Sequence, residues 1–291
     1  MNYLIAVTIV WAFSFSLIGV YLSGQVDSYF AVMMRIALAV LVFLPFLKLR
    51  LLSKKHTLTL IGIGAVQLGV MYIFFYQSFL LLSVPEVLLF TIFTPVYVAL
   101  LDDLLFGRFT PIYLVTALLA VLGAAIIRYD GVNNHFWLGF LVVQGANLCF
   151  ALGQVAYRKL AKELPTSLPW HNVFAWFFVG ALLIAVPAWL LLGNTAKLPS
   201  TATQWGVLLW LGLVASGLGY FAWNKGATQV DAGTLAIMNN ALIPAGLIVN
   251  LTLWNRDENI SRLLLGGMII VASLMLNYWW LQRRNLQEDT L

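Results

Sequence analysis

The sequence predicts an all-α integral membrane protein, ten transmembrane helices arranged as two inverted five-helix repeats. Three observations carry that expectation. Apolar runs follow one another almost without a break from Tyr3 to Leu281, each near the roughly 20 residues that span a bilayer as a helix. Of the 291 residues, 62% are hydrophobic and 9% charged, whereas a soluble domain is about a quarter charged. The middle of each half also repeats a pattern of short polar link, apolar run and late proline.

The spans read from the sequence are 3–22, 30–49, 58–81, 84–103, 110–128, 136–157, 172–192, 204–223, 232–253 and 262–282. The first has no basic segment before it, so it is expected to stay as a helix rather than be cleaved as a signal peptide. The second carries Arg35 and runs out at Lys48 and Arg50. The third holds Gln67, Tyr72 and Tyr76. Leu82-Ser83 nearly fuses it to the fourth, which has Pro95 late and ends on Asp102-Asp103. The sixth holds Gln144, Asn147 and the single cysteine, Cys149, which excludes an intramolecular disulfide. The seventh contains Pro187, the eighth ends near Tyr220 and Trp223, and the ninth holds Asn239, Asn240 and Pro244. The tenth closes on Trp279-Trp280 beside Arg283-Arg284, an interfacial aromatic belt. The repeats are assigned to 1–130 and 131–284, with a disordered cytoplasmic tail at 285–291.

Short links make neighbouring spans antiparallel. One face then collects eleven basic residues: Lys48, Arg50, Lys54, Lys55, Arg108, Arg158, Lys159, Lys162, Lys225, Arg283 and Arg284. The other collects Arg128, Lys197, Arg256 and Arg262. The positive-inside rule makes the richer face cytoplasmic and places both termini there, in a cytoplasmic (inner) membrane. The net charge of +5 is accounted for by topology and anionic lipid, and no nucleic acid partner is expected.

The stretch from Tyr76-Gln77-Ser78-Phe79 to Phe93-Thr94-Pro95 parallels that from Lys225-Gly226-Ala227-Thr228 to Leu242-Ile243-Pro244. Five spans per half is odd, so the second half enters the membrane upside down, as in carriers whose site lies near the midplane between inverted halves.

Several motifs resemble the drug/metabolite transporter superfamily, EamA type. They are Trp11-Ala12-Phe13-Ser14-Phe15 in the first span, Arg35-Ile36-Ala37-Leu38-Ala39 in the second, Pro95 and Pro244 in the fourth and ninth, and Tyr220-Phe221-Ala222-Trp223-Asn224 ending the eighth. The chain departs from that family where Leu-Gly-Glu usually follows the fourth and ninth helices. Here those places read Phe106-Gly107-Arg108 and Asn255-Arg256-Asp257. The chain looks most like the carboxylate, amino acid and amine branch, which the resemblance associates with vitamins such as biotin.

An arginine inside a span costs about 2.5 kcal/mol or more on insertion scales, so Arg35 needs a reason. It either anchors a solute carboxylate, which its planar fork fits, or forms a gating ion pair with Glu86 at similar depth. Glu86 has two further readings, a coupling-proton carrier and a charge at a helix N-terminus. Asp102-Asp103 and Asp231 read as solvated helix ends. Trp11, Tyr72, Tyr76, Trp176, Tyr220 and Trp223 are the aromatic pocket candidates. Thr91, Gln144, Asn147, Asn239 and Asn240 are polar candidates for solute contact or for helix-to-helix hydrogen bonds. Pro95 and Pro244 are candidate hinges. Small residues four apart, such as Ala65 and Gly69, Ala120 and Ala124, and Ala215 and Gly219, allow close helix contact and leave a homodimer open.

No phosphate-binding loop, HExxH or GxSxG pattern is present, and His56, His135 and His171 stand far apart. No cofactor, metal or catalytic residue is assigned. The expected function is secondary transport of a small organic solute, an amino acid or a carboxylate-bearing metabolite or vitamin such as biotin, by alternating access. The rivals are a broad drug exporter, which would need acidic groups deep in the cavity, and a membrane-embedded enzyme or an assembly subunit.

Overall fold

The computed structural model describes residues 1–107, 109–128, 136–254 and 260–288, and among these it contains helices and no strand. Eight helices there are long and apolar enough to cross a membrane: α1 (Asn2–Leu22), α2 (Ser28–Phe46), α3 (Lys54–Leu81), α4 (Glu86–Phe106), and, after the next rod, α6 (Trp137–Glu163), α7 (Ala175–Leu192), α8 (Ala202–Ala227) and α9 (Ala232–Leu253). The intervening rod α5 (Pro111–Arg128) and the last, α10 (Ile260–Glu288), contain shorter apolar stretches, Pro111–Gly123 and Leu264–Trp280. Arg108, His135 and Asn255-Arg256-Asp257 lie outside the described residues, as do the side chains of Ala124, Arg128 and Arg262.

Capping chemistry moves several ends from their expected places. Asp27 accepts the Phe30 N–H at 2.8 Å, so α2 starts at Ser28. Ser53 caps α3 through the His56 N–H. A Thr201–Gln204 capping box opens α8, satisfying two otherwise orphaned donors. α6 runs on to Glu163, so Arg158, Lys159 and Lys162 are helical rather than part of a link. α10 is helical through Glu288, where a disordered tail was expected from 285. Residues 289–291 lie outside the description.

Three rods change to π-helix: Ile18–Leu22 ending α1, Ala65–Val70 in α3 and Leu211–Leu218 in α8. Such segments widen the helix and release carbonyls from the regular ladder. α4 tightens instead to 3-10 geometry at Thr91–Phe93, ending two residues before Pro95, which has no N–H to give Thr91 O.

The principal helix pairs are α1 with α9 and α8, α2 with α7 and α8, α3 with α6 and α7, α4 with α6 and α9, and α5 with α10. Glycine permits the close crossing of α3 against α7. A Cβ on Gly64 would strike the Phe177 backbone, and one on Gly180 would strike that of Ile61. Gly69 continues the seam, where a Cβ would stand 3.0 Å from Ala181 O. The small-residue stripe of α3 therefore packs inside the bundle.

Candidate functional site

Arg35 sits two turns into α2 and is 2% exposed. Its Nε donates to Ser216 Oγ (3.1 Å), Nη1 to Tyr76 Oη (2.9 Å) and Nη2 to Tyr72 Oη (2.8 Å). The guanidinium also lies 4.5 Å from the Tyr72 ring centroid, a cation–π contact. Tyr72 Oη and Ser216 Oγ are 3.0 Å apart and share one hydrogen. Tyr72 and Tyr76 reach Arg35 together because residues four apart share a helix face.

All of these partners are neutral. Among the described residues no carboxylate forms an ion pair with Arg35. An arginine carries five N–H donors and each hydroxyl one. The four internal bonds use three N–H groups and one hydroxyl hydrogen. Two N–H groups and two hydroxyl hydrogens remain without an acceptor in the cluster. A buried positive group with donors to spare attracts an anion, and the arginine fork fits a carboxylate.

Arg35, Tyr72 and Tyr220 line a cavity of about 90 Å³ together with Trp11, Ser14, Phe15, Ile18, Met71, Phe75, Thr91, Thr94, Ala146, Asn147, Phe150, Asn239 and Leu242. Trp11 Nε1 donates to Ala215 O at 2.8 Å, in the π-segment of α8. Its ring stacks on Trp223 at 5.0 Å and meets Phe150 edge-on at 5.7 Å. The volume falls well short of the roughly 300–1,000 Å³ of a small-molecule pocket, so admitting a metabolite requires the lining helices to part.

The polar groups supplied by α4 and α6 have the opposite hydrogen-bonding character. Thr91 Oγ1 donates to Leu88 O and Thr94 Oγ1 to Thr91 O. Asn147 Nδ2 donates to both Phe90 O (2.8 Å) and Gln144 Oε1 (3.1 Å). Gln144 Nε2 also donates to Phe90 O, and Tyr97 Oη donates to Gln144 Oε1. Phe90 O can only accept, so it fixes the orientation of both amides. The hydrogens of Thr91, Thr94 and Asn147 are thus all committed to other protein acceptors, leaving lone pairs.

Asn239 is oriented by a similar chain. Trp223 Nε1 can only donate and gives its hydrogen to Gln154 Oε1 (2.9 Å). Gln154 Nε2 therefore faces Asn239 Oδ1 (3.4 Å), and Asn239 Nδ2 donates to Leu235 O (2.8 Å).

Of the aromatic and polar candidates, Trp11, Arg35, Tyr72, Thr91, Asn147, Tyr220 and Asn239 share the cavity. Tyr76 supports Arg35, and Gln144 supports Asn147, each one layer out. Trp223 backs Trp11. Trp176 and Asn240 are not in the lining. Trp176 is half-buried on α7, and Asn240 Nδ2 donates to Ile92 O (3.1 Å), tying α9 to the irregular turn of α4. Glu86 is not the partner of Arg35. Its Oε2 accepts the Ser83 N–H (2.7 Å) and Oγ–H (2.8 Å), so the helix N-terminus explains it. Pro95 lies in the first turn after the 3-10 segment, and Pro244 lies inside α9. Ser14, Thr94, Phe150 and Ser216 were missed. Small hydroxyls and a phenylalanine in apolar runs carry little signal, although Ser14 lies inside the first-span motif. Ser14 Oγ is buried without a hydrogen-bond partner.

Both ends of the cavity's surround are closed by contacts between chain halves. At one end Asp27 Oδ2 accepts the Asn194 N–H (3.1 Å), Asp27 N–H donates to Lys197 O (2.7 Å), and Gln204 Nε2 donates to Gln25 Oε1 (3.3 Å). At the other, Arg158 on α6 pairs with Asp102 on α4 (2.5 Å) and donates to Val230 O (2.9 Å). Lys159 caps Leu105 O (2.9 Å), and Lys162 lies 4.3 Å from the Phe106 ring centroid. Asp102 is fully buried, not solvated, because Arg158 neutralises it. Asp103 accepts the Thr110 N–H. Asp231 likewise is not a free surface charge: it caps α9 through Thr234 and binds Asn277.

The EamA-like transporter family pattern matches residues 1–129 and again 137–279. The chain is 53% identical over 288 residues to the biotin transporter of Escherichia coli K12, covering 99% of this chain and 96% of that one. It is 57% identical over 277 residues to the probable biotin transporter of Pseudomonas aeruginosa, covering 95% and 97%. A crystal structure 16% identical in sequence superposes with a TM-score of 0.75, covering 95% of this chain and 96% of the other, a likeness of fold. Two family matches in tandem and two near full-length relatives lead to one conclusion: the chain belongs to the EamA-like transporter family.

Proposed function

We propose that this protein is a secondary carrier of the cytoplasmic membrane that moves biotin by alternating access, with Arg35 as the anchor for its carboxylate. The observation that carries this reading is the surplus of donors around Arg35, which is buried beside a cavity and has no carboxylate paired to it among the described residues. Biotin has a carboxylate at the end of a flexible chain and a compact bicyclic head. The carboxylate suits the guanidinium of Arg35, and the head suits the aromatic wall of Trp11, Phe75, Phe150 and Tyr220. The names of the relatives point to the same solute.

The protein's own residues bind and orient the solute, and the two closures exclude water in turn. Ten spans in two inverted repeats, 1–130 and 131–284, suit that cycle. The helix pairs support the repeat. Exchanging each helix for the one five places away turns α1–α9 into α6–α4, α2–α8 into α7–α3 and α3–α6 into α8–α1, all principal contacts. The π-segments of α3 and α8 are exchanged as well. With both termini cytoplasmic, Asp102–Arg158 closes the inner side and the Asp27 contacts close the outer side. Pro95 and Pro244 sit where α4 and α9 would flex. No carboxylate lines the cavity among the described residues, which counts against a cation exporter.

The test is uptake of radiolabelled biotin by proteoliposomes, with unlabelled biotin and biotin methyl ester as competitors. Saturable uptake blocked by biotin but not by its ester is expected. Equal competition by the uncharged ester would remove Arg35 as the anchor, and absence of uptake would remove biotin as the solute.

A further inference from the structure

Beyond the carboxylate anchor, we infer that Thr91, Thr94 and Asn147 form a subsite that recognises N–H donors, so that the carrier selects the cyclic urea of its solute. This inference rests on the biotin reading and extends it to the other end of the molecule. Its basis is the direction of hydrogen bonds already in place. Thr91 and Thr94 have given their hydroxyl hydrogens to Leu88 O and Thr91 O. Asn147 has given both amide hydrogens, to Phe90 O and Gln144 Oε1. Each side chain belongs to the cavity lining, and each has oxygen lone pairs but no hydrogen left to donate. A solute that brings only acceptors to this surface gains nothing there, whereas one that brings N–H groups is bound.

The fold maintains this polarity. Pro95 cannot donate to Thr91 O, so that carbonyl takes the Thr94 hydroxyl as well as the Thr94 N–H. Phe90 O, at the start of the 3-10 turn, accepts from both Gln144 and Asn147. The proline first considered as a hinge thus also opens Thr91 O to the Thr94 hydroxyl, which spends the hydrogen of Thr94. A cyclic urea has two N–H donors and one carbonyl acceptor. The carbonyl needs a donor in turn, and Ser14 supplies a hydroxyl with no acceptor of its own.

The experiment is competition against labelled biotin uptake in proteoliposomes. Desthiobiotin keeps the carboxylate and the cyclic urea but lacks the sulfur ring. Lipoic acid keeps a carboxylate and a sulfur ring but has no N–H. Desthiobiotin should compete within about 10-fold of biotin and lipoic acid about 100-fold more weakly, since a site built around hydrogen bonds rejects a ligand that leaves them unmade. The Asn147→Leu and Thr94→Val variants should each narrow the gap between desthiobiotin and lipoic acid, with rejection of the methyl ester unchanged. Ser14→Ala should weaken biotin and desthiobiotin alike. Thermal unfolding of each variant identifies loss of fold, and Thr94→Val, nearly isosteric, serves if Asn147→Leu fails to fold. Lipoic acid competing as well as desthiobiotin in the wild type overturns the inference while leaving the carboxylate reading intact. A gap unchanged in a folded variant overturns that residue's part in it. Loss of discrimination against the methyl ester alone would instead overturn the carboxylate reading.

Discussion

Among the described residues the bundle buries two arginines, and their surroundings differ in one respect. Arg158 is 6% exposed and has an acid, Asp102, against it. Arg35 is 2% exposed and has two phenols and a serine. A buried charge is tolerated when it is paired and its hydrogen bonds are filled. Arg158 meets that condition with a carboxylate and a backbone carbonyl. Arg35 meets it only in part, and this is the ground for proposing that it binds an anion from outside the chain. The comparison teaches that buried charge alone does not mark a site. The mark is charge whose compensation the chain does not complete.

Replacing each arginine sharpens this contrast, and Arg35 should give the larger effect on transport. Arg35→Gln removes the charge and most of the donors. Hydrogen bonds to charged groups contribute about 1.5–3 kcal/mol each, so biotin uptake should fall by at least about 100-fold. The thermal midpoint should hold or rise, since no ion pair is broken. Arg35→Lys should also fail, because a point charge cannot replace the fork that joins Ser216, Tyr72 and Tyr76. Uptake retained in either variant would end the anchor assignment.

At Asp102–Arg158 the effect should fall on stability. Asp102→Asn leaves Arg158 buried without its anion, a change worth about 3–5 kcal/mol. The double variant Asp102→Leu with Arg158→Met should recover most of that loss, because replacing a buried pair with apolar side chains is often neutral. Thermal unfolding of the single and double variants measures the difference. A double variant no more stable than the single would mean that the pair is not what holds this end.

Within the Arg35 cluster, Tyr76→Phe keeps the ring and removes one hydroxyl. Loss of one hydrogen bond to a charged group predicts about a 10-fold rise in the KM for biotin, with little change in maximal rate. An unchanged KM would show that the bond from Arg35 to Tyr76 does not orient the guanidinium for the solute.

Much of this was legible because lipid leaves few solutions for a chain. Long apolar runs declare spanning helices, and an arginine within one requires explanation. The sequence therefore pointed to Arg35, to the paired tyrosines and to Asn147. It did not reveal which acid met which arginine, since that depends on the packing of helices distant in the chain. Asp102 looked like a solvated helix end and Arg158 like part of a link, and α6 running past its expected end brought them together. Ser14, Thr94 and Ser216 were hidden for a related reason. A hydroxyl in an apolar run usually returns its hydrogen to its own backbone, as Thr8 does to Leu4 O. Only the three-dimensional hydrogen-bond pattern tells which hydroxyls are spent and which are not.

The smallest effect is expected at Glu86, and that makes it informative. At its depth in the sequence it was a candidate partner for Arg35 or a carrier of coupling protons. Its Oε2 instead accepts two hydrogen bonds from Ser83, at 2.7 and 2.8 Å, in the place a capping residue occupies three positions into a helix. A glutamine amide oxygen can accept the same bonds, so Glu86→Gln should cost under about 1 kcal/mol of stability, the charge–dipole contribution at a helix end. Biotin uptake should keep both its rate and its dependence on pH. If the pH profile moved while the fold held, Glu86 would titrate within the transport cycle. Arg35 would then no longer be the sole charged residue assigned to the solute site, and the contrast between the two arginines would have to include an acid that reaches the pathway in another conformation.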